Sequence, residues 1–269
     1  MIEKVIYIGG VARSGTSWIA QILNSSPHTK FRFQPLFSYE FREIINEDSK
    51  EEEYQNFYKD LYNIDTDFLT QKDKVLEGVY PQFDKTDEKI LVFKENRFQS
   101  FIEPMLRKSS NLIFIGIIRN PCATLYSWTQ NEKEFPLGSD IMKEWRFANC
   151  KNKGNEDYFG YFKWKEVANL YLDLEQKYGD RVQIIHYDKL IQHTEEFIIE
   201  LFENLQIPYT KQTKEFITKS QNGLDNNYYS VFKGKTDKQK WKKAFPKYII
   251  DEITADLKGT RLEKFLYDS

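Results

Sequence analysis

The sequence predicts an α/β fold, a single domain over residues 1–269 with a central parallel β-sheet flanked by helices. Three observations carry this. Short apolar runs of strand length alternate with longer segments of helical spacing along the chain. The runs lack the every-other-residue polarity of a sheet with one wet face, so both faces must be covered. Finally, 269 residues with 40% hydrophobic and 30% charged residues suit one globular domain with a substantial core.

Val5 to Gly9 reads as a short buried strand, and Ser17 to Asn24 has helical apolar spacing that ends before Pro27. Lys89 to Phe93 and Leu112 to Ile118 read as central strands, each followed by a helix-like segment, with Pro121 suited to a first helical turn. Tyr161 to Tyr178 has the pattern of a long amphipathic helix, and Val182 to Tyr187 that of another strand. Thr194 to Leu205 is again helical, with apolar spacing at Phe197, Ile198, Leu201 and Leu205. The acidic stretch Asn46 to Tyr54 and the lysine-rich stretch Lys233 to Lys243 carry no core periodicity and are expected to be loops or lids. In such a fold, ligands bind at the carboxyl ends of the strands.

Charge narrows the partners. Lys plus Arg (39) nearly balances Asp plus Glu (41), so no global positive field recruits nucleic acid or an anionic membrane, and any anion site must be built locally. The two cysteines, Cys122 and Cys150, have neither disulfide-framework nor metal-ligand spacing, which points to a reducing compartment and no metal. The chain enters its first strand almost at once, and no apolar run approaches ~18 residues. A cytoplasmic protein without a membrane span is expected; its oligomeric state is left open.

The strongest chemical signal is Gly9-Gly10-Val11-Ala12-Arg13-Ser14-Gly15-Thr16-Ser17-Trp18, set between the first strand and the first helix. Gly10 and Gly15 permit a tight turn and close approach of backbone to phosphate oxygens, and the helix N-terminus directs N–H groups at the same anion. Ser14, Thr16 and Ser17 add hydroxyl donors. As a Walker A loop the segment is damaged, because Thr16 stands where the lysine must be. The cation stands instead at Arg13, two positions before the second glycine.

A basic residue followed by Ser-Gly-Thr-Ser-Trp resembles the 5′-phosphosulfate loop of sulfotransferases that use 3′-phosphoadenosine 5′-phosphosulfate (PAPS). The resemblance implies a phosphate-binding loop over Arg13, Ser14, Gly15, Thr16, Ser17 and Trp18, with Arg13 meeting the charge that bond cleavage builds on the bridging oxygen. Arg119-Asn120-Pro121 with Ser127, eight residues after the arginine, is similar to the family's 3′-phosphate motif. Tyr187-Asp188-Lys189-Leu190 resembles the element whose tyrosine lies at the adenine. Phe232-Lys233-Gly234, followed by Trp241-Lys242, is similar to the loop that closes over the 3′-phosphate, with Phe232 in place of an arginine.

The acceptor side matches less well. Phe33-Gln34-Pro35-Leu36 resembles the Tyr-Glu-Pro-Leu of carbohydrate sulfotransferases, but Gln34 cannot take a proton and is assigned to acceptor orientation. Glu40 then becomes a candidate base. Lys94-Glu95-Asn96 stands where cytosolic members carry Lys-Thr-His, so Lys94 is expected at the sulfuryl oxygens, Glu95 is a second candidate base, and Asn96 replaces the histidine. The resemblance thus implies sulfuryl transfer from PAPS, without metal, to a hydroxyl or amine of a small-molecule or saccharide acceptor, with carbohydrate preferred. A small-molecule kinase with a degenerate Walker A loop and an inactive nucleotide-binding module stand as alternatives.

Overall fold

The computed structural model describes residues 2–223, 229–232 and 240–267. Five strands, β1 (Lys4–Gly9), β2 (Thr29–Phe33), β3 (Ile90–Glu95), β4 (Leu112–Ile118) and β5 (Val182–His186), form one sheet in the order β2-β3-β1-β4-β5, with every neighbouring pair parallel. The chain builds outward from β1 first to one side and then to the other. That reversal opens a crevice at the carboxyl ends of the central strands, where such sheets take ligands.

The apolar runs are explained by burial on both faces. Every residue of β1 from Val5 to Gly9 is buried, and so is all of β3. Tyr7, Phe93 and Phe114 point into one core together with Tyr171, while Ile6, Ile8, Val92 and Ile115 point into the other with Ile19 and Leu23. The helix Tyr161–Tyr178 covers the first face and the helix Thr16–Asn24 the second.

Two elements differ from expectation. Asn46 to Tyr54 is not a loop throughout, because a helix runs from Glu51 to Asn63. Its apolar face, Tyr54, Phe57, Tyr58 and Leu61, begins only where the acidic stretch ends, and all four residues are buried. Glu51, Glu52 and Glu53 sit in its first turn, where negative charge meets the positive dipole end, and Glu53 accepts from the Lys50 N–H at 2.6 Å.

The edge strand β2 was not anticipated, its Thr-Lys-Phe-Arg-Phe being short and half polar. Arg32 is buried there and donates to the carbonyls of Phe31, Leu61, Tyr62 and Ile64 at 2.6–3.0 Å. The guanidinium thus satisfies the C-terminal end of the helix Glu51–Asn63.

Of the lysine-rich stretch, Lys240–Ala244 forms a short helix whose Trp241 is buried, while residues 233–239, with Lys233 and Gly234, lie outside the described residues. Among the described residues, no helix is long and apolar enough to cross a membrane.

Candidate active site

Registration of the strands brings remote segments together. Gly9 at the end of β1 lies opposite Glu95 on β3 and Gly116 on β4, and Ile118 lies opposite His186 on β5. The residues that follow, Gly10 to Thr16, Asn96, Arg119 and Tyr187, therefore gather at one rim of the sheet.

The loop after β1 is wound tightly. Val11 carbonyl accepts from the Ser14 N–H at 3.2 Å and from its hydroxyl at 2.7 Å. Arg13 and Gly15 both take left-handed backbone, at φ 72° and 96°. A methyl group on Gly15 would come within 2.3 Å of the Tyr187 ring, so only glycine fits. Among the described residues no side chain caps the helix Thr16–Asn24, and the Gly15 carbonyl accepts from the Trp18 N–H at 3.1 Å.

The two phosphate motifs meet here. Arg13 Nε donates to Ser127 Oγ at 3.2 Å, and an Arg119 terminal nitrogen donates to the Arg13 carbonyl at 3.0 Å. Arg119 also lies over the Tyr187 ring, 5.2 Å from its centre, and its buried Nε has no hydrogen-bond partner among the described residues. Asn120 caps the helix Pro121–Thr129 by accepting from the N–H groups of Cys122 and Ala123, which fixes Ser127 on the second turn. Asp188 accepts from the Asn120 N–H at 2.7 Å and ties β4 to the segment after β5. Trp18 meets Tyr187 edge to face at 6.2 Å and is anchored by its Nε1 on Ser220 Oγ at 2.9 Å.

The end of β3 supplies the second cation. Successive side chains of a strand face opposite sides, so Lys94 and Glu95 part company. Lys94 donates to Ser17 Oγ at 3.2 Å and lies over the Phe33 ring at 4.4 Å. Burial lowers its pKa to about 8, against the opposing charges of Glu95 and Glu134, while Arg13 adds to the lowering. Glu95 accepts from the Leu36 N–H at 2.7 Å with one oxygen; the other has no partner among the described residues, and burial pushes the carboxyl up to about 8. Asn96 donates to the Gly10 carbonyl at 2.6 Å and to Thr16 Oγ1 at 3.0 Å, so the residue in place of the family histidine buttresses the loop.

Gln34 takes left-handed backbone at φ 43°, and its N–H donates to the Lys94 carbonyl at 2.8 Å, which sets it beside the end of β3. Glu40 stands exposed beyond the turn Pro35–Phe37 and shares no ion pair or hydrogen bond with the other candidates among the described residues. Sequence reasoning missed Glu134, which lies 3.9 Å from Arg13 Nε. It sits in a polar segment without periodicity, so only the fold shows its place. Among the described residues, no three His, Cys, Asp or Glu gather as for a metal ion.

A family model described as the sulfotransferase domain matches residues 3–265. No curated protein matches the chain. Among solved structures, mouse sulfotransferase SULT7A1 complexed with PAP is similar at a TM-score of 0.61 and 15% identity, over 99% of this chain and 88% of that one. Retinol dehydratase, solved with androsterone and inactive cofactor PAP, is similar at a TM-score of 0.56 and 12% identity, over 97% of this chain and 83% of that one. The same enzyme solved with retinol and PAP aligns equally well. At these identities the likeness is one of fold.

Proposed function

From the chain's membership of the sulfotransferase domain family, which makes it a PAPS-dependent sulfotransferase, we propose that it moves a sulfuryl group to a hydroxyl or amine of a carbohydrate or glycoconjugate. The observation that carries the placement of the site is the hydrogen bond of 3.2 Å from Arg13 to Ser127, which unites two motifs far apart in sequence beside a tightly wound loop.

In this reading the backbone of Ser14, Gly15, Thr16 and Ser17 holds the 5′-phosphosulfate at the helix N-terminus. Arg13 and Lys94 approach the sulfuryl and bridging oxygens from β1 and β3, where charge develops as the bond breaks. Arg119, with an unsatisfied buried Nε, and Ser127 take the 3′-phosphate, while Tyr187 and Trp18 flank the adenine. Lys233 and Gly234 enter by family resemblance alone. Preference for carbohydrate rests on Gln34-Pro35-Leu36 beside Lys94 and on Asn96 in place of a histidine base. Cys122 and Cys150 are both unpaired, which supports a reducing, cytoplasmic setting.

One observation favours a second acceptor class. Phe33, Phe37 and Phe68 pack at ring distances of 5.6 and 6.3 Å, and Phe37 and Phe68 are exposed beside Lys94 and Arg97. Such a face stacks on sugars but equally on flat apolar alcohols. Labelled PAPS with parallel saccharide and steroid-alcohol panels decides between them. Transfer to neither, beside failure to bind 3′,5′-adenosine bisphosphate (PAP), would sink the reading.

A further inference from the structure

A sulfuryl transfer to a hydroxyl or amine needs a group that takes the acceptor's proton, and it must stand next to the cations that hold the sulfuryl group. Three carboxylates come into question, the sequence candidates Glu40 and Glu95 and the Glu134 beside Arg13. Glu40 is exposed and uncoupled from the loop. Glu95 is on the face of β3 opposite Lys94 and bound to the Leu36 N–H, and burial favours its protonated form, which disfavours it as a base. Glu134 is different.

Its Oε2 lies 3.9 Å from Arg13 Nε, is buried, and has no hydrogen-bond partner among the described residues, although the side chain as a whole is 19% exposed. The carboxylate is thus reachable and incompletely satisfied. Its backbone is fixed. The Glu134 N–H donates to the Asn131 carbonyl at 2.9 Å, and the Glu134 carbonyl accepts from Trp128 Nε1 at 2.9 Å. Trp128 and Asn131 are buried, and Phe135 packs on Trp128 at 4.8 Å. The residue is therefore carried on a rigid turn directly after the helix that bears Ser127. The charged groups it faces are Arg13 from the loop after β1 and Lys94 from β3, and the Lys94 ammonium interacts with both of the others.

We propose that Glu134 is the general base of the transfer, the carboxylate that takes the proton of the attacking acceptor; the assignment rests on the sulfotransferase reading above. The acceptor oxygen or nitrogen forms a bond to sulfur, and the bond from sulfur to the bridging phosphate oxygen breaks. Its electron pair stays on that oxygen beside Arg13, and the acceptor proton passes to Glu134 and then to solvent. Arg13 and Glu134 face one another as opposite charges at 3.9 Å. Once phosphosulfate engages Arg13, the carboxylate is left to the acceptor.

The test compares wild type, Glu134→Gln, Glu134→Ala, and Glu132→Gln as an exposed neighbour control. Release of labelled sulfate from PAPS is followed to water, N-acetylglucosamine and phenol, beside PAP affinity by calorimetry. Glu134→Gln should lose about 10²–10³-fold in turnover, within the range for general-base removal, while its PAP affinity stays within about threefold, because the base meets the acceptor and not the nucleotide. Added formate should restore part of the rate of Glu134→Ala, which a merely structural loss would not allow. Glu134→Gln turning over within threefold of wild type overturns the assignment. So does a tenfold loss of PAP affinity, which would make Glu134 a prop for Arg13. A wild type that releases no sulfate to any of the three probes sinks the transferase reading and this proposal together.

Discussion

Arg119 donates to the backbone carbonyl of Arg13 at 3.0 Å, so a cation at the end of β4 holds the loop that follows β1 in its left-handed turn. The contact spans two adjacent strands and uses one nitrogen of the guanidinium. Its buried Nε has no partner among the described residues, and in the proposed reading the rest of that group serves an anion.

Replacing Arg119 by Ala should therefore weaken PAP binding by roughly 1.5–3 kcal/mol, the range for a hydrogen bond to a charged group. Arg119→Lys should recover part of the loss, because a point cation serves the phosphate but cannot also reach the Arg13 carbonyl with fork geometry. Calorimetry with PAP measures both, and circular dichroism checks that the fold is retained. Unchanged affinity in Arg119→Ala would remove the residue from the nucleotide site.

Gly15 and Tyr187 test the loop's shape. Ala at 15 faces two penalties, left-handed backbone at φ 96° and a Cβ 2.3 Å from the Tyr187 ring. Gly15→Ala should cost on the order of 1–3 kcal/mol of stability and abolish measurable PAP binding. Adding Tyr187→Ala relieves the clash but not the backbone strain, so the double variant should regain part of the stability and little affinity. Thermal melts of the four-member cycle read this out, and exact additivity would show that the two residues do not touch in solution.

Glu95 makes a prediction with a defined sign. Burial raises its pKa from 4.5 to about 8, so between those values the folded protein holds a proton that the unfolded chain has released. Stability therefore falls as pH rises through this window, by on the order of 5 kcal/mol in all at about 1.4 kcal/mol per pH unit. Lys94 acts oppositely but elsewhere: its pKa is lowered from 10.5 to about 8, so its contribution rises with pH only above that window. Urea unfolding of Glu95→Gln from pH 4.5 to 8 should show a flatter profile than wild type. Parallel profiles would refute the buried, protonated state.

The central strands were legible because β1, β3 and β4 are buried on both faces, which forces continuous apolar runs, and the edge strand β5 still keeps Val182, Ile184 and Ile185. The edge strand β2 escaped, since an edge tolerates Lys30 and Arg32 and the latter's partners come from a helix some thirty residues on. The helix Glu51–Asn63 was half hidden because its charges precede its apolar face. At the site, motif spacing singled out Arg13, Arg119 and Ser127, whose contacts follow from adjacent strands. Glu134 carried no such signal. Its position depends on how the turn after Ser127 folds back on Trp128, a contact without period or motif.

In the proposed reaction Arg13 acts on the transition state. Its guanidinium is held by Ser127 at 3.2 Å, and the residue's left-handed backbone turns it across the loop. A group so preorganised stabilises charge that appears on the bridging oxygen only as the bond to sulfur breaks, and such interactions accelerate the chemical step more than they tighten ground-state binding. Arg13→Ala should thus lower turnover by about 10²–10³-fold, by analogy with removal of one oxyanion donor, while weakening PAP binding far less. Arg13→Lys should keep part of the rate, since an ammonium can meet the oxygen but loses the fork that also binds Ser127. Ser127→Ala separates orientation from charge: it should affect PAP affinity through the 3′-phosphate and slow turnover only as far as Arg13 is left free to swing. Rates at saturating PAPS, measured beside PAP affinity, give the comparison. If Arg13→Ala weakened PAP binding but left the rate at saturating PAPS unchanged, the loop would be a nucleotide cradle and the charge stabilisation would have to come from Lys94 alone.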